Sequence, residues 1–244
     1  MSIKQRLRAG ERLRGGLLRI PADFLVELAG VAGLDFVLID CEHGPADLIT
    51  VQQHIVAAQA HGLGVLVRVG RAEPDFVLRV LDIGAEGIVV PHVDTPEDAR
   101  RAVRAAHYPP RGDRGFATYS RAGSFGAVSI AAHLANAADT TLVVPMLETA
   151  GACAAAADIA AVDGVDALLV GPADLSVSMG YSEGPAEPAV QAMLDKVVAA
   201  AEVAGRPMFH IVGTAEQARS LPAGAVVFNL AHVLLGTFRS LADS

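Results

Sequence analysis

The sequence predicts an α/β fold, a (β/α)8 TIM barrel forming a single domain over residues 1–244. Eight short apolar runs alternate with longer amphipathic stretches, the signature of repeated βα units. The runs are apolar almost throughout, as parallel strands covered on both faces must be. The length of 244 residues suits a barrel, which typically needs about 250. An open doubly wound sheet is the rival, but no Gly-rich phosphate fingerprint follows the first run.

The first strand is expected at 17–20, "LLRI", after a charged, fraying N-terminus that carries Lys4. The second, 36–40 "FVLID", stops at a turn, and Asp47 then caps a helix running to about Gly62. Strands at 65–69 and 87–90 follow. Thr95-Pro96-Glu97-Asp98 is a cap, a first-turn proline and an acidic first turn in succession. Arg100, Arg101 and Arg104 read as one solvated helix face. The stretch 107–141 is too long for a return loop and is expected to form an extra lobe. Strands at 142–147 and 167–170 bracket a helix at 149–160. A long Ala-rich helix at 186–204, strands at 207–211 and 225–229, and an apolar helix at 231–242 complete the chain.

Composition narrows the function. A net charge of -8 without a block of basic residues excludes a nucleic-acid binder. Apolar stretches break well before the roughly 18 residues of a membrane helix, so no membrane partner is expected. Two cysteines, Cys41 and Cys153, and no signal-like N-terminus lead to a cytoplasmic expectation.

Active sites of this fold lie at the carboxyl ends of the strands. The runs end in Asp40 and His43, Arg68, Pro91-His92, Glu148, and Gly171-Pro172-Ala173-Asp174, with His210 and Asn229 on the last two. Glu148 and Asp174 have the character of an open site for a hard divalent cation, whose remaining positions water and substrate fill. Their competing role is to cap helices. Arg68 ends a very apolar run and needs a substrate oxygen or a carboxylate as partner. His43 is a candidate general base, with Asp40 or Asp82 to orient it, against a plain loop histidine. Cys41 reads as a small packed residue. Neither Lys4 nor Lys196 sits at a strand end, so no Schiff-base lysine is available.

The stretches "LDFVLIDCEHGPAD", "VLVRV", "LDIGAEGIVVPHVDTPEDA", "YPPRGDRG", "PMLET" and "VGPADLSVSMGY" resemble, in order, the metal-dependent pyruvate aldolases of the HpcH/HpaI family. The resemblance implies an aldehyde-lyase that cleaves or forms 4-hydroxy-2-oxo acids, with keto acid and aldehyde as its small-molecule partners. Glu148 and Asp174 would then hold Mg²⁺ or Mn²⁺, with Co²⁺ a third candidate. Arg68 would bind the keto oxygen, and the backbone of Gly171, Pro172, Ala173 and Asp174 would receive the substrate carboxylate. His43 would move protons, with Asp40 or Asp82 tuning it. The family implies a homo-hexamer, a trimer of dimers, with the helix at 231–242 exchanged between subunits. Related readings are an oxaloacetate decarboxylase or CoA-linked lyase, and a silent keto-acid-binding barrel. Two departures bear on specificity: Met146 stands where family members often carry Gln, and "VVFNLAHVLL" replaces a Gly-Ser-Asp-like ending.

Overall fold

The computed structural model describes residues 1–244. In chain order the first half runs α1 (Ile3–Arg8), β1 (Leu13–Leu18), α2 (Asp23–Val31), β2 (Phe36–Asp40), α3 (Leu48–Ala60), β3 (Gly64–Arg68) and α4 (Pro74–Asp82). It continues with β4 (Gly87–Val90), α5 (Pro96–Ala106), α6 (Ile130–Thr140), β5 (Leu142–Leu147), α7 (Ala150–Ala154) and α8 (Ala156–Ala160). The last part is β6 (Leu168–Val170), α9 (Pro172–Ser178), α10 (Pro188–Val203), β7 (Met208–Val212), α11 (Ala215–Arg219), β8 (Gly224–Asn229) and α12 (Leu230–Ala242). The eight strands pair in parallel and in sequence order, and β8 closes on β1.

The caps form as the sequence reads. Asp47 accepts the Thr50 amide, and Thr95 with Asp98 completes a capping box over α5. β1 begins earlier than expected because Gly15 and Gly16 lie inside the strand. A Cβ on Gly15 would sit 2.3 Å from the Phe36 ring, and one on Gly16 would meet Leu230 at 2.8 Å. Small residues there leave room for Phe36, which packs edge-to-face on Phe209.

Side chains alternate across each strand. Leu17, Phe36, Leu38, Leu66, Val89, Val144, Met146, Leu169, Phe209 and Val227 fill the barrel. Val37, Ile39, Val65, Val67, Ile88 and Val143 pack outward against the helices. Counting by twos from the interior set, Arg19, Asp40, Arg68, Glu148 and Gly171 take inward positions at the C-terminal rim.

The N-terminus does not fray. α1 closes the N-terminal mouth, Lys4 is 1% exposed, and its ammonium bonds Asp166 at 2.9 Å and the Thr141 carbonyl at 2.7 Å. Residues 108–114 fold back on α5, with Asp113 and Arg114 amides bonded to Arg104 and His107 carbonyls, and the Ala122 amide bonds the Asp82 carbonyl at the end of α4. α6 packs against α1, and the Tyr108 hydroxyl meets His133 Nε2 at 2.9 Å. The helix expected at 149–160 divides into α7 and α8 at Ala155. α12 buries no residue, and Leu235, Phe238 and Leu241 on it are exposed. No helix is long and apolar enough to cross a membrane.

Candidate active site

Asp40 is the anchor of the rim. Fully buried, it takes Nε and Nη2 of Arg68 at 2.9 and 2.5 Å, and Nε of Arg19 at 2.8 Å. Its Oδ1 also accepts the Glu42 and His43 amides at 3.1 and 3.2 Å, which folds the loop after β2 over its own strand. Gly44 is required in that fold: a Cβ would lie 2.3 Å from the Asp40 carbonyl oxygen. Burial alone would raise the Asp40 pKa, but the bonds and charge of Arg68, with the His43 amide and Arg19, hold it below the usual carboxylate range.

Arg68, 2% exposed, therefore has two of its three nitrogens engaged by Asp40. The third, Nη1, lies 3.2 Å from Glu42 Oε2 and 3.7 Å from the Met146 sulfur. This is the end of the guanidinium left for a ligand. His43 projects its imidazole from the loop, 54% exposed, with Nε2 3.8 Å from Glu42 Oε2. Asp40 reaches His43 through the backbone amide, so it sets the loop and does not orient the ring. Asp82 is not brought to this rim. It ends α4, at the N-terminal side of the barrel, where its carboxylate accepts Arg114 Nη2 at 2.6 Å.

Glu148 follows β5 and is 3% exposed. Its Oε2 accepts the His92 amide at 2.9 Å, and a Cβ on Gly171 would come within 3.1 Å of its Oε1. Burial raises its pKa, and nearby Glu42 and Asp174 push the same way against the His92 contacts. Gly171 caps α9 without a side chain, so the first-turn amides of Ala173 and Asp174 have no cap, while Pro172 has no amide to offer. No three His, Cys, Asp or Glu side chains converge closely enough to hold an ion by themselves.

Three participants escaped the sequence candidates. Glu42 sits beside His43 in the same loop and touches Arg68, His43 and His92. Arg19 is legible as a cation just after the first strand. His92 ends the fourth run, and only its conformation reveals its contacts. His210 faces outward among α10 and α11, since it alternates with the interior residue Phe209, and Asn229 caps α12. Burial pushes the Cys41 thiol up to about 12, consistent with a packed, protonated residue. Beside His92 opens a cleft of about 600 Å³, lined by Arg71, Glu73, Pro91, Asp94 and Arg101.

The sequence matches the family model described as HpcH/HpaI aldolase/citrate lyase over residues 21–228. A pyruvate aldolase of Rhizobium etli is 36% identical over 204 residues, covering 84% of this chain and 80% of that protein. A 2-dehydro-3,6-dideoxy-6-sulfogluconate aldolase of Pseudomonas putida is 40% identical over 190 residues, covering 78% and 74%. The crystal structure of an HpcH/HpaI aldolase/citrate lyase family protein from Burkholderia cenocepacia superposes with a TM-score of 0.92 at 34% identity, covering 99% and 97%. The barrel, the rim of acids and arginines and these matches agree: the chain belongs to the HpcH/HpaI aldolase/citrate lyase family.

Proposed function

We propose that this chain is a divalent-metal-dependent aldolase that cleaves and forms 4-hydroxy-2-oxo acids, giving a pyruvate-type enolate and an aldehyde. The observation that carries this is the excess of carboxylate at the rim. Glu148, Glu42 and Asp174 lie near enough to raise the Glu148 pKa, and Glu42 Oε2 is buried without a hydrogen bond. Its 3.2 Å approach to Arg68 Nη1 is an ion-pair contact without hydrogen-bond geometry. Such a locus fits a hard cation.

Glu148 and Asp174 would hold the ion, Mg²⁺ or Mn²⁺ by donor type, leaving positions for a chelating keto acid. When bound, it supplies Lewis-acid stabilisation of negative charge on the substrate oxygens. The chain's own residues do the rest. Nη1 of Arg68, which Asp40 leaves unbonded, pairs with the C2 oxygen, on which charge grows as the C3–C4 bond breaks, and Asp40 keeps that guanidinium from turning away. His43, exposed and set by its backbone, takes the C4 hydroxyl proton. Protonation at C3 then yields the 2-oxo acid. The uncapped amides of Ala173 and Asp174 receive the substrate carboxylate.

The exposed Leu235, Phe238 and Leu241 support exchange of α12 between subunits of a homo-hexamer. Light scattering on the full chain and on one truncated after Asn229 tests that assembly.

The function itself is tested by proton NMR of pyruvate in D₂O. Loss of the methyl signal with Mg²⁺, stopped by EDTA or Glu148→Ala and slowed at least tenfold by His43→Ala, is the expected result. Exchange that survives EDTA or Glu148→Ala would overturn the metal role. A metal-loaded protein that exchanges no methyl protons would remove pyruvate as donor.

A further inference from the structure

His92 adopts φ 55°, a left-handed backbone that residues other than glycine rarely take. The distortion is confined to one step. Val90 pairs with Pro145 in the ladder, and the Val93 amide bonds the Met146 carbonyl at 3.3 Å, so β4 and β5 are joined on both sides of it. Its effect is to aim two groups of one residue at one oxygen. The His92 amide lies 2.9 Å from Glu148 Oε2, and its ring Nδ1 lies 3.2 Å from the same atom. Nε2, on the far side of the ring, is 3.0 Å from Glu42 Oε1.

The other oxygen of Glu148 is left alone. Oε1 faces Gly171, where only the missing Cβ makes room for it, and so faces the first turn of α9 with Asp174 in it. The carboxylate is held by its back oxygen and presents its front oxygen to the place Asp174 borders.

A glycine would adopt this backbone at no steric cost. The chain carries histidine instead, which accepts the conformational penalty and adds a ring with two acidic contacts. The side chain therefore has a task beyond forming the turn. Partners of this kind around metal-ligating groups orient them and set affinity.

We propose that His92 is a positioning residue: its amide bond to Oε2, with the ring Nδ1 beside the same oxygen, leaves Oε1 of Glu148 as the metal-facing oxygen. This rests on the proposed role of Glu148 as a metal ligand. It invokes one ring donor, Nδ1–H, and no contact between His92 and substrate.

Calorimetric titration of the metal-free full chain with Mn²⁺ alone tests it, using His92→Gly, His92→Asn and Glu148→Gln, with melting curves and the Mn²⁺ EPR spectrum alongside. His92→Gly keeps the backbone and its amide and loses the ring. It should melt within a few degrees of the wild type, bind Mn²⁺ about 10–100-fold more weakly, and alter the EPR spectrum. His92→Asn tolerates the same backbone and returns a donor, so it should recover part of the affinity. Wild-type affinity and spectrum in His92→Gly would overturn the proposal while leaving Glu148 as ligand. Undiminished Mn²⁺ binding by Glu148→Gln would overturn the metal assignment and the proposal together.

Discussion

At the N-terminal mouth the Lys4 ammonium is matched by Asp166 and the Thr141 carbonyl, and Asp82 is matched by Arg114. At the C-terminal mouth Asp40, Glu42 and Glu148 lie with two guanidinium groups, Arg19 and Arg68, and the exposed Asp174 adds negative charge near Glu148. The same barrel thus carries one end where Lys4 and Arg114 are each paired, with Glu86 bonded to the Ile3 amide and α1 as cover, and another whose acids exceed their guanidinium partners. Buried charge without a partner costs stability, so an unbalanced end calls for a proton, a ligand or an ion to complete it. In the proposed function the matched mouth belongs to folding and the unmatched one to chemistry.

The strongest way to break that contrast is Glu148→Gln, which removes one acid from the unbalanced end. Pyruvate exchange should fall by about 10⁴-fold, equivalent to about 5 kcal/mol of lost transition-state stabilisation. The metal-free variant should nevertheless melt higher than the metal-free wild type. Glu148 has a folded pKa above its unfolded value, so the folded state holds that proton more tightly. Its contribution is fully present at low pH and is lost as pH rises through the folded pKa; Gln suffers no such loss. Melting curves should converge below pH ~4 and separate above it. A lower melting temperature at neutral pH would contradict an unbalanced rim.

The matched mouth should respond in the opposite sense. Lys4→Met leaves Asp166 with only the longer, exposed Arg8 contact at 3.5 Å, and breaking a buried pair costs up to about 3–5 kcal/mol. Denaturant unfolding should show that loss while pyruvate exchange per folded molecule stays unchanged. A change in exchange with intact stability would mean that the two mouths communicate.

A smaller effect at the same end separates pairing from burial. His107 is 3% exposed, and burial, together with Lys4, Arg111 and Arg114, lowers its pKa to about 4. A histidine with a depressed folded pKa binds its proton less readily when folded. Stability is therefore lost as pH falls from ~6.5 towards that value, by about 2–3 kcal/mol if no other group intervenes. His107→Gln should flatten the fall in melting temperature across this window, and an unchanged slope would assign acid sensitivity to other groups.

The two ends also differ in how far they are legible. Rim residues come from strand ends, and period-two alternation read from short apolar runs places Asp40, Arg68 and Glu148 inward without any tertiary information. The closed mouth depends on contacts between distant segments: Lys4 finds Asp166 and Thr141 across most of the chain, which no local pattern encodes. Asp82 lies away from this chain's rim for a different reason. It ends a helix that returns antiparallel to the strands, so topology alone places it at the far side. The sequence places the start of β1 late, at 17, because Gly15 and Gly16 resemble a turn until the Phe36 ring they accommodate is known. His92 carries no glycine-like signal for its left-handed backbone, and its role is visible only in three dimensions.

The smallest effect probes the floor between the acids and Arg68. Met146 is buried, with its sulfur 3.7 Å from Arg68 Nη1 and its methyl against Gly171. A thioether is a weak acceptor, so Glu42 is the one strong competitor of a substrate oxygen for that nitrogen. Met146→Gln has similar reach and substitutes an amide that accepts from Arg68 and donates upward. In the empty site the amide donor would be unsatisfied, costing about 1–3 kcal/mol of stability; with a keto acid bound it would gain a partner. The KM for pyruvate in the exchange assay should therefore fall, by up to about fivefold, while the maximal rate moves little. That split would make residue 146 a determinant of donor binding within the unbalanced mouth. Equal KM with reduced stability would instead make Met146 part of the packed barrel interior, and would move the boundary between the chemical and structural halves of the molecule one layer closer to the rim.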